Sequence, residues 1–518
     1  MLDLRNTLRR PVRMYPHAIA TQCRDHEQTY SELHERVMRL ANGLLSLGLQ
    51  RGDRIAVLML NCHRFLELYY AAMFAGLVIV PLNIRWGRQE FAFALSDCLP
   101  KIFALDQTIY EHFKAHFETL KMLGVQHILF ADRDAPANTI CYEKLLRDSS
   151  KQDPNIEVSE NDLIGIFYTS GTTSHPKGVM LTHKNLMMNA YHAQLSFRFY
   201  RDNTYLHAAP MFHLADGAAT FTVTWNGGTH IFVPRFEPDD VLRTIEEKRV
   251  NAVTLIPTMI NWLINHPARS QYNTRSLDQI LYGAAPMPPD RLKQAAEIFQ
   301  CKFQQGYGMT EAAPLVTCLS AEDHERALHE GRNDLLISAG KPIIGVDVRV
   351  IHEDGRDVGV GEVGEILVRG PNIMKGYWNL PEETERALQN GWYHTKDMAR
   401  VDEEGYHYVV DRKDDMIKTG GENVFSSEVE SALYEHPAVL EAAIIGIPDA
   451  EWTQAIQAVV VRRGDVEITE AELIRFCKER LTHYKVPKHV VFLDELPKGG
   501  TGKILKNRLR ETLIKSTQ

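Results

Sequence analysis

The sequence predicts an α/β fold: a large N-terminal domain of parallel-type sheets with helices, a β-rich subdomain after it, and a small α+β C-terminal domain. Two observations carry that expectation. In the first part of the chain, segments of helical period alternate with short runs that are apolar at every position. Such runs suit strands buried on both faces by crossover helices. From about Val346 the style changes to short strand-like segments with glycine turns, as in Gly361-Glu362-Val363-Gly364-Glu365-Ile366-Leu367-Val368.

Taken in order, Thr29 and Glu32 stand at capping-box spacing, Leu33, Val37, Leu40 and Leu44 recur at helical intervals, and Gly48 is a stop. The apolar run Ile55–Leu60 predicts a strand. Phe65, Leu68, Tyr69 and Ala72 predict a second helix, and Val78–Leu82 a second strand. Thr204–Ala209 leads into a loop, Gly227-Gly228-Thr229 precedes a strand over His230–Val233, Asp240–Lys248 reads as helix and Ala252–Ile256 as strand. The charged run Asp411–Asp415 marks the best boundary, giving domains 1–411 and 412–518. Beyond it, helices are expected at Ser427–Tyr434 and Glu470–Leu481, and strands at Ala442–Ile447 and Ile456–Val461.

The 518 residues carry 58 Lys plus Arg against 67 Asp plus Glu, a formal charge of -9 that argues against a general nucleic-acid binder. With 44% apolar and 24% charged residues the chain reads as globular rather than disordered or coiled-coil. Seven scattered cysteines without a Cys-x-x-Cys pair predict neither a disulfide framework nor a zinc site, and place the protein in a reducing compartment. No run approaches the roughly 20 apolar residues that span a bilayer. A cytoplasmic protein is expected, with room for peripheral membrane contact and for a homodimer.

Chemistry concentrates in a few segments. Residues 168–178 read YTSGTTSHPKG. So much Gly, Ser and Thr builds no core, but it can present N–H groups and hydroxyls to an anion, with Lys177 adding charge. Lys177 precedes its glycine, so this is no Walker A loop. Composition alone leaves a plain polar connection between strand and helix equally open. In Gln305-Gly306-Tyr307-Gly308-Met309-Thr310-Glu311 an aromatic between two glycines can offer a ring face to a flat base. The Thr and Glu that follow supply a hydroxyl and a hard oxygen ligand for Mg2+. Seen by itself, this segment also reads as a turn after a strand. Gly283-Ala284-Ala285-Pro286 offers close approach to a ligand, or simply a tight turn.

These segments, together with Trp392–Asp397, Asp411–Asn423 and Leu496–Lys503, resemble the adenylate-forming superfamily: acyl-CoA synthetases, peptide-synthetase adenylation domains and firefly luciferase. They fall in the family's order, and the likeness runs from about Thr29 to Arg510. The resemblance implies that Thr169, Ser170, Gly171, Thr172, Thr173 and Lys177 hold phosphates, and that Gly283, Ala284 and Ala285 line the adenine and acyl pockets. It further implies that Tyr307, next to Gly308, stacks on adenine, Thr310 touches the α-phosphate and Glu311 helps hold Mg2+. Asp397 would take the ribose hydroxyls and Arg412 the ribose or phosphate. Lys503 would be the catalytic lysine of the first half-reaction. A mobile C-terminal domain would then turn about Asp414, withdraw Lys503 and bring forward the Gly420-Gly421 loop, with Lys418 also among the cofactor-binding positions. Pro210-Met211-Phe212-His213 resembles an element of acyl- and aryl-CoA ligases, which puts His213 among the catalytic positions and favours an acid without an α-amine.

Three departures stand out: Ser174 for the usual Gly, Lys396 for the Gly of a Thr-Gly-Asp element, and Thr453-Gln454 for Gly-Glu. The activity implied is acid plus ATP giving acyl-AMP and pyrophosphate, then transfer to coenzyme A, with ATP, Mg2+ and coenzyme A as cofactors. A medium- or long-chain fatty acid is the expected substrate, with an aryl acid or loading of a carrier protein as alternatives. Asp216 could reach the substrate but is more simply structural or solvated. An ADP-forming ATPase and a catalytically dead binding module are the readings from other classes.

Overall fold

The computed structural model describes every residue except 1, 25, 115–116, 133–134, 170–174, 450–451, 465, 499–503 and 516–518. The chain divides into two compact units. The first takes in the chain up to Thr169, Pro176–Val348 and Val368–Tyr393, and the second takes in Arg349–Leu367 and the chain from His394 onward.

Among the described residues, the first unit carries a nine-stranded sheet. Its order is Lys341–Pro342, Leu315–Leu319, Lys302–Gly308, Gln279–Gly283, Ala252–Leu255, Thr204–His207, Thr229–Phe232, Ile19–Cys23 and His26–Thr29. The strands from Lys302–Gly308 through Thr229–Phe232 pair in parallel. From Thr204–His207 the chain passes first to the neighbour on one side, Thr229–Phe232, and then to the neighbour on the other, Ala252–Leu255. That reversal is a topological switch point, and in open α/β sheets ligands bind outside the carboxyl ends of strands at such a point.

A second sheet has eight strands among the described residues and includes Lys177–Thr182, Leu163–Thr169, Val78–Pro81, Arg54–Leu58 and Ile102–Leu105 as consecutive neighbours. Ile55, Ala56, Val57 and Leu58 are all buried, as the unbroken apolar run requires. That strand ends at Leu58 rather than Leu60, because the Leu60 N–H donates to Asp106 Oδ2 at 2.7 Å instead of to a neighbouring strand. The helix Tyr30–Ser46 opens on the Thr29/Glu32 capping box. The next helix, His63–Phe74, is buried along almost its whole length and carries Glu67 inside. Arg36 Nε at 2.8 Å and Tyr142 Oη at 2.6 Å satisfy that carboxylate. Removing Arg36 would cost about 3–5 kcal/mol by leaving a buried charge unpaired.

In the second unit, Val439–Asp449 pairs antiparallel with Thr453–Arg462, which pairs in parallel with His489–Phe492. Alternation divides the sheet cleanly. Ile444, Ala458 and Val460 meet Val429 and Leu433 of helix Ser426–Tyr434 and Leu473 of helix Glu470–Lys478. Ile445 and Val459 meet Leu496, and Leu509 of helix Lys506–Lys515, on the other face.

Burial also sets an acid limit on the fold. It pushes the imidazoles of His63, His183, His192, His213 and His324 down to about 4. Each of these groups binds a proton more readily unfolded than folded. Their contribution is therefore full above the ordinary histidine value near 6.5 and is lost as pH falls toward 4. At pH near 5 unfolding should take up about four protons from these five groups alone. A melting midpoint that stayed level from pH 7 to pH 5 would contradict this.

Candidate active site

At the carboxyl edge of the first sheet, Gly283 ends one strand and lies in register with Gly306 of the next. A Cβ on Gly283 would sit 2.2 Å from the Gly306 carbonyl oxygen, and a Cβ on Gly308 1.8 Å from that of Pro314. Only glycine fits either place, so the backbone itself shapes this edge. Ala284 follows with φ +66, and Ala284 and Ala285 are exposed. Tyr307 is half-buried, Thr310 opens a short 3-10 turn, and Glu311 within that turn is 9% exposed.

The turn is fastened by a segment that no sequence motif singles out. Asn372 Nδ2 donates to the carbonyls of Ala312 (2.7 Å) and Leu315 (2.9 Å), and Met374 N donates to that of Glu311 (2.8 Å). Tyr377 Oη donates to Glu311 Oε1 at 3.0 Å. The Tyr377 ring also lies 5.2 Å from Lys177 Nζ, and Lys177 in turn pairs with Glu383 at 2.7 Å. One tyrosine therefore links Lys177 and Glu311. Their spacing along the chain gives no hint of this, since the residues lie on separate strands and turns.

Thr169 and Lys177 face each other across an antiparallel pair. The glycine-rich loop is thus a connection between two strands, not the strand-to-helix connection that composition leaves open. Ser170, Gly171, Thr172 and Thr173, with Ser174, lie outside the described residues, as does Lys503.

At the switch point the Thr204–His207 strand runs into Pro210–His213, and His213 stands at the N-cap position of helix Leu214–Asn226 with no capping bond from its side chain. Its ring lies 4.4 Å from that of Phe212. Burial, with Arg85 nearby, keeps its imidazole neutral at physiological pH. Asp216 is structural. It is fully buried, accepts from Tyr205 Oη at 3.0 Å and lies 2.6 Å from His207 Nδ1. His207 Nε2 meets His230 Nδ1 at 2.8 Å, and His230 Nε2 meets Thr224 Oγ1 at 3.0 Å.

Within the second unit Asp397 and Arg412 lie in register on paired strands and form an ion pair. Lys418 lies in the first strand of a hairpin, opposite Asn423, whose two-residue tip is Gly420 (φ +59) and Gly421 (φ +84), conformations suited to such a turn. Two of the departures fall on left-handed backbone: Lys396 at φ +61 and Thr453 at φ +69. Glycine is favoured there because a Cβ strains this conformation. Lys396 Nζ pairs with Asp414 at 3.1 Å, and Gln454 Oε1 accepts from the Lys418 N–H at 2.8 Å. Lys396→Gly should raise stability by about 0.5 kcal/mol, since relief of strain outweighs a half-exposed ion pair. A loss of stability in denaturant titration would show that the pair dominates.

A hard anionic oxygen on a rigid turn fits Mg2+, which takes one or two protein carboxylates and fills its remaining positions with water and phosphate oxygens. Among the described residues no group of three or more His, Cys, Asp or Glu side chains could hold a metal by itself. Nor is any helix among them long and apolar enough to cross a membrane.

Residues 8–378 match the AMP-binding enzyme family, and residues 428–503 match the AMP-binding enzyme C-terminal domain. The chain belongs to that family. It is similar to a feruloyl-CoA synthase of Amycolatopsis sp, 41% identical over 502 residues and 97% of each chain. It is also similar to a long-chain-fatty-acid–CoA ligase of Mycobacterium tuberculosis, 35% identical over 495 residues, 94% of this chain and 93% of the relative. Among solved structures, the O-succinylbenzoate coenzyme A synthetase of Bacillus subtilis in complex with ATP and magnesium ion matches with TM-score 0.84 and 31% identity, covering 97% of this chain and 99% of that one. This is an enzyme, an acid–thiol ligase.

Proposed function

We propose that this ligase activates an aryl or arylpropenoic acid to its acyl-adenylate and passes the acyl group to coenzyme A. The observation that carries the choice of acid is the setting of His213: neutral, beside Phe212, at the switch point, with the nearby Asp216 already committed to His207 and Tyr205. An α-ammonium would find no available counter-ion in Asp216, which disfavours amino acids. An aromatic ring could pack against Phe212 and His213. The 41% identity to a feruloyl-CoA synthase supports the aryl reading. A fatty acid is the second reading, favoured by the 35% identity to a long-chain ligase.

In the proposed first step a carboxylate oxygen attacks the α-phosphorus of ATP, and the bond to the pyrophosphate oxygen breaks. Tyr307 offers its ring to adenine, Thr310 its hydroxyl to the α-phosphate, and Lys177 and Lys503 supply positive charge as the leaving group departs. Glu311 would hold Mg2+, which when bound neutralises phosphate charge. In the second step the thiol of coenzyme A, losing its proton, attacks the acyl carbon and the bond to AMP breaks. Asp397 and Arg412 are proposed nucleotide contacts. Lys418, Gly420 and Gly421 are assigned to the thioester step, with a hinge near 411–415. None of the seven cysteines is in a disulfide, which supports the reading of a cytoplasmic enzyme.

The test is pyrophosphate release with hydroxycinnamates, benzoates, C8–C16 fatty acids and phenylalanine, each with and without coenzyme A. Turnover with an aryl acid, stimulated by coenzyme A, is the expected result. Preference for a fatty acid would replace the aryl reading, and indifference to coenzyme A with every acid would overturn the acceptor.

A further inference from the structure

Lys177 is a phosphate contact in the proposed reaction, yet its ammonium is already engaged. Glu383 Oε2 lies 2.7 Å from it, with side-chain exposures of 16% for the lysine and 33% for the glutamate. Glu383 comes from the first turn of helix Pro381–Ala387 and shares its other oxygen with Arg386 Nη1 at 2.8 Å. The ammonium also lies over Tyr377, whose hydroxyl donates to Glu311. Lys177 is thus held by a carboxylate beside the tyrosine that orients the proposed magnesium ligand.

We propose that Glu383 is a positioning residue that competes with pyrophosphate for Lys177 and speeds its departure. The inference rests on the reading of Lys177 as a phosphate contact. A largely buried ammonium is costly without a partner. When a triphosphate is present, its several anionic oxygens outbid one carboxylate. Once the α-phosphorus has been transferred, pyrophosphate leaves more readily if a carboxylate takes over Lys177. Glu383 stabilises the vacated lysine, so it weakens the hold on pyrophosphate and on ATP alike. The interaction acts on both ligands through one ammonium, so both affinities should move together and in the same direction.

The experiment uses the full chain and compares parent, Glu383→Gln, Glu383→Ala, Glu383→Asp and Lys177→Met for the KM of ATP, the inhibition constant of inorganic pyrophosphate and the melting midpoint. Without ligand, Glu383→Gln and Glu383→Ala should stay folded and melt slightly below the parent, because the partner of Lys177 is lost. Each should bind pyrophosphate and ATP about fivefold more tightly, the size of a partly buried ion pair. Glu383→Asp should return both constants toward the parent values. Lys177→Met should weaken both ligands. If folded Glu383 variants bind pyrophosphate no more tightly while Lys177→Met weakens it, the competition is refuted and the role of Lys177 stands. If Lys177→Met leaves both constants unmoved, the phosphate role of Lys177 fails, and this proposal with it.

Discussion

Lys503→Ala should slow acyl-adenylate formation by at least about 10²-fold, while a chemically prepared acyl-adenylate is still converted to the thioester at near the parent rate. The reason is a difference between the two steps. The first expels pyrophosphate, a highly charged leaving group, and one ammonium acting as a point charge is worth most there. The second expels AMP from an acyl carbon, and its proposed machinery is Lys418 with the Gly420-Gly421 hairpin. Single-turnover measurements of each half-reaction separate the cases. Equal loss in both would count against a division of labour within the C-terminal domain.

Glu311→Gln should be nearly as damaging, with a different signature. The substitution keeps the shape and a hydrogen-bond partner for Tyr377 Oη but removes the anionic oxygen. If Glu311 helps to hold Mg2+, the first half-reaction should fall about 10²- to 10³-fold at ordinary magnesium and recover partly as magnesium is raised. The fold should be unaffected, because the turn is fastened through backbone carbonyls by Asn372 and Met374. A rate loss that no concentration of Mg2+ relieves would instead point to a positioning role.

Much of the architecture is legible in the sequence because its causes are local. The apolar run Ile55–Leu58 has no polar alternation and so must be covered on both faces, as it is. The Thr29/Glu32 box is an interaction over three residues. The glycines of 283–308 announce close backbone approach, and the short distances that a Cβ would make to Gly306 and Pro314 give the reason. The contacts that bring distant segments together are not legible. Tyr377 meets Glu311 across 66 residues and Glu383 meets Lys177 across 206, and neither spacing carries a periodic signal. Asp216 reads as structural or solvated from the sequence, and only the fold reveals that it is buried at the end of a histidine chain. The departures at Lys396 and Thr453 are visible as residue types, but the left-handed backbone beneath them is not.

The central claim is that the organic acid attacks the α-phosphorus of ATP. It is tested most directly with an acid carrying 18O in both carboxylate oxygens, incubated with the enzyme, ATP and coenzyme A. One labelled oxygen should appear in AMP for each thioester formed, with none in inorganic phosphate. Label recovered in inorganic phosphate beside ADP, or thioester formed with unlabelled AMP, would contradict the account.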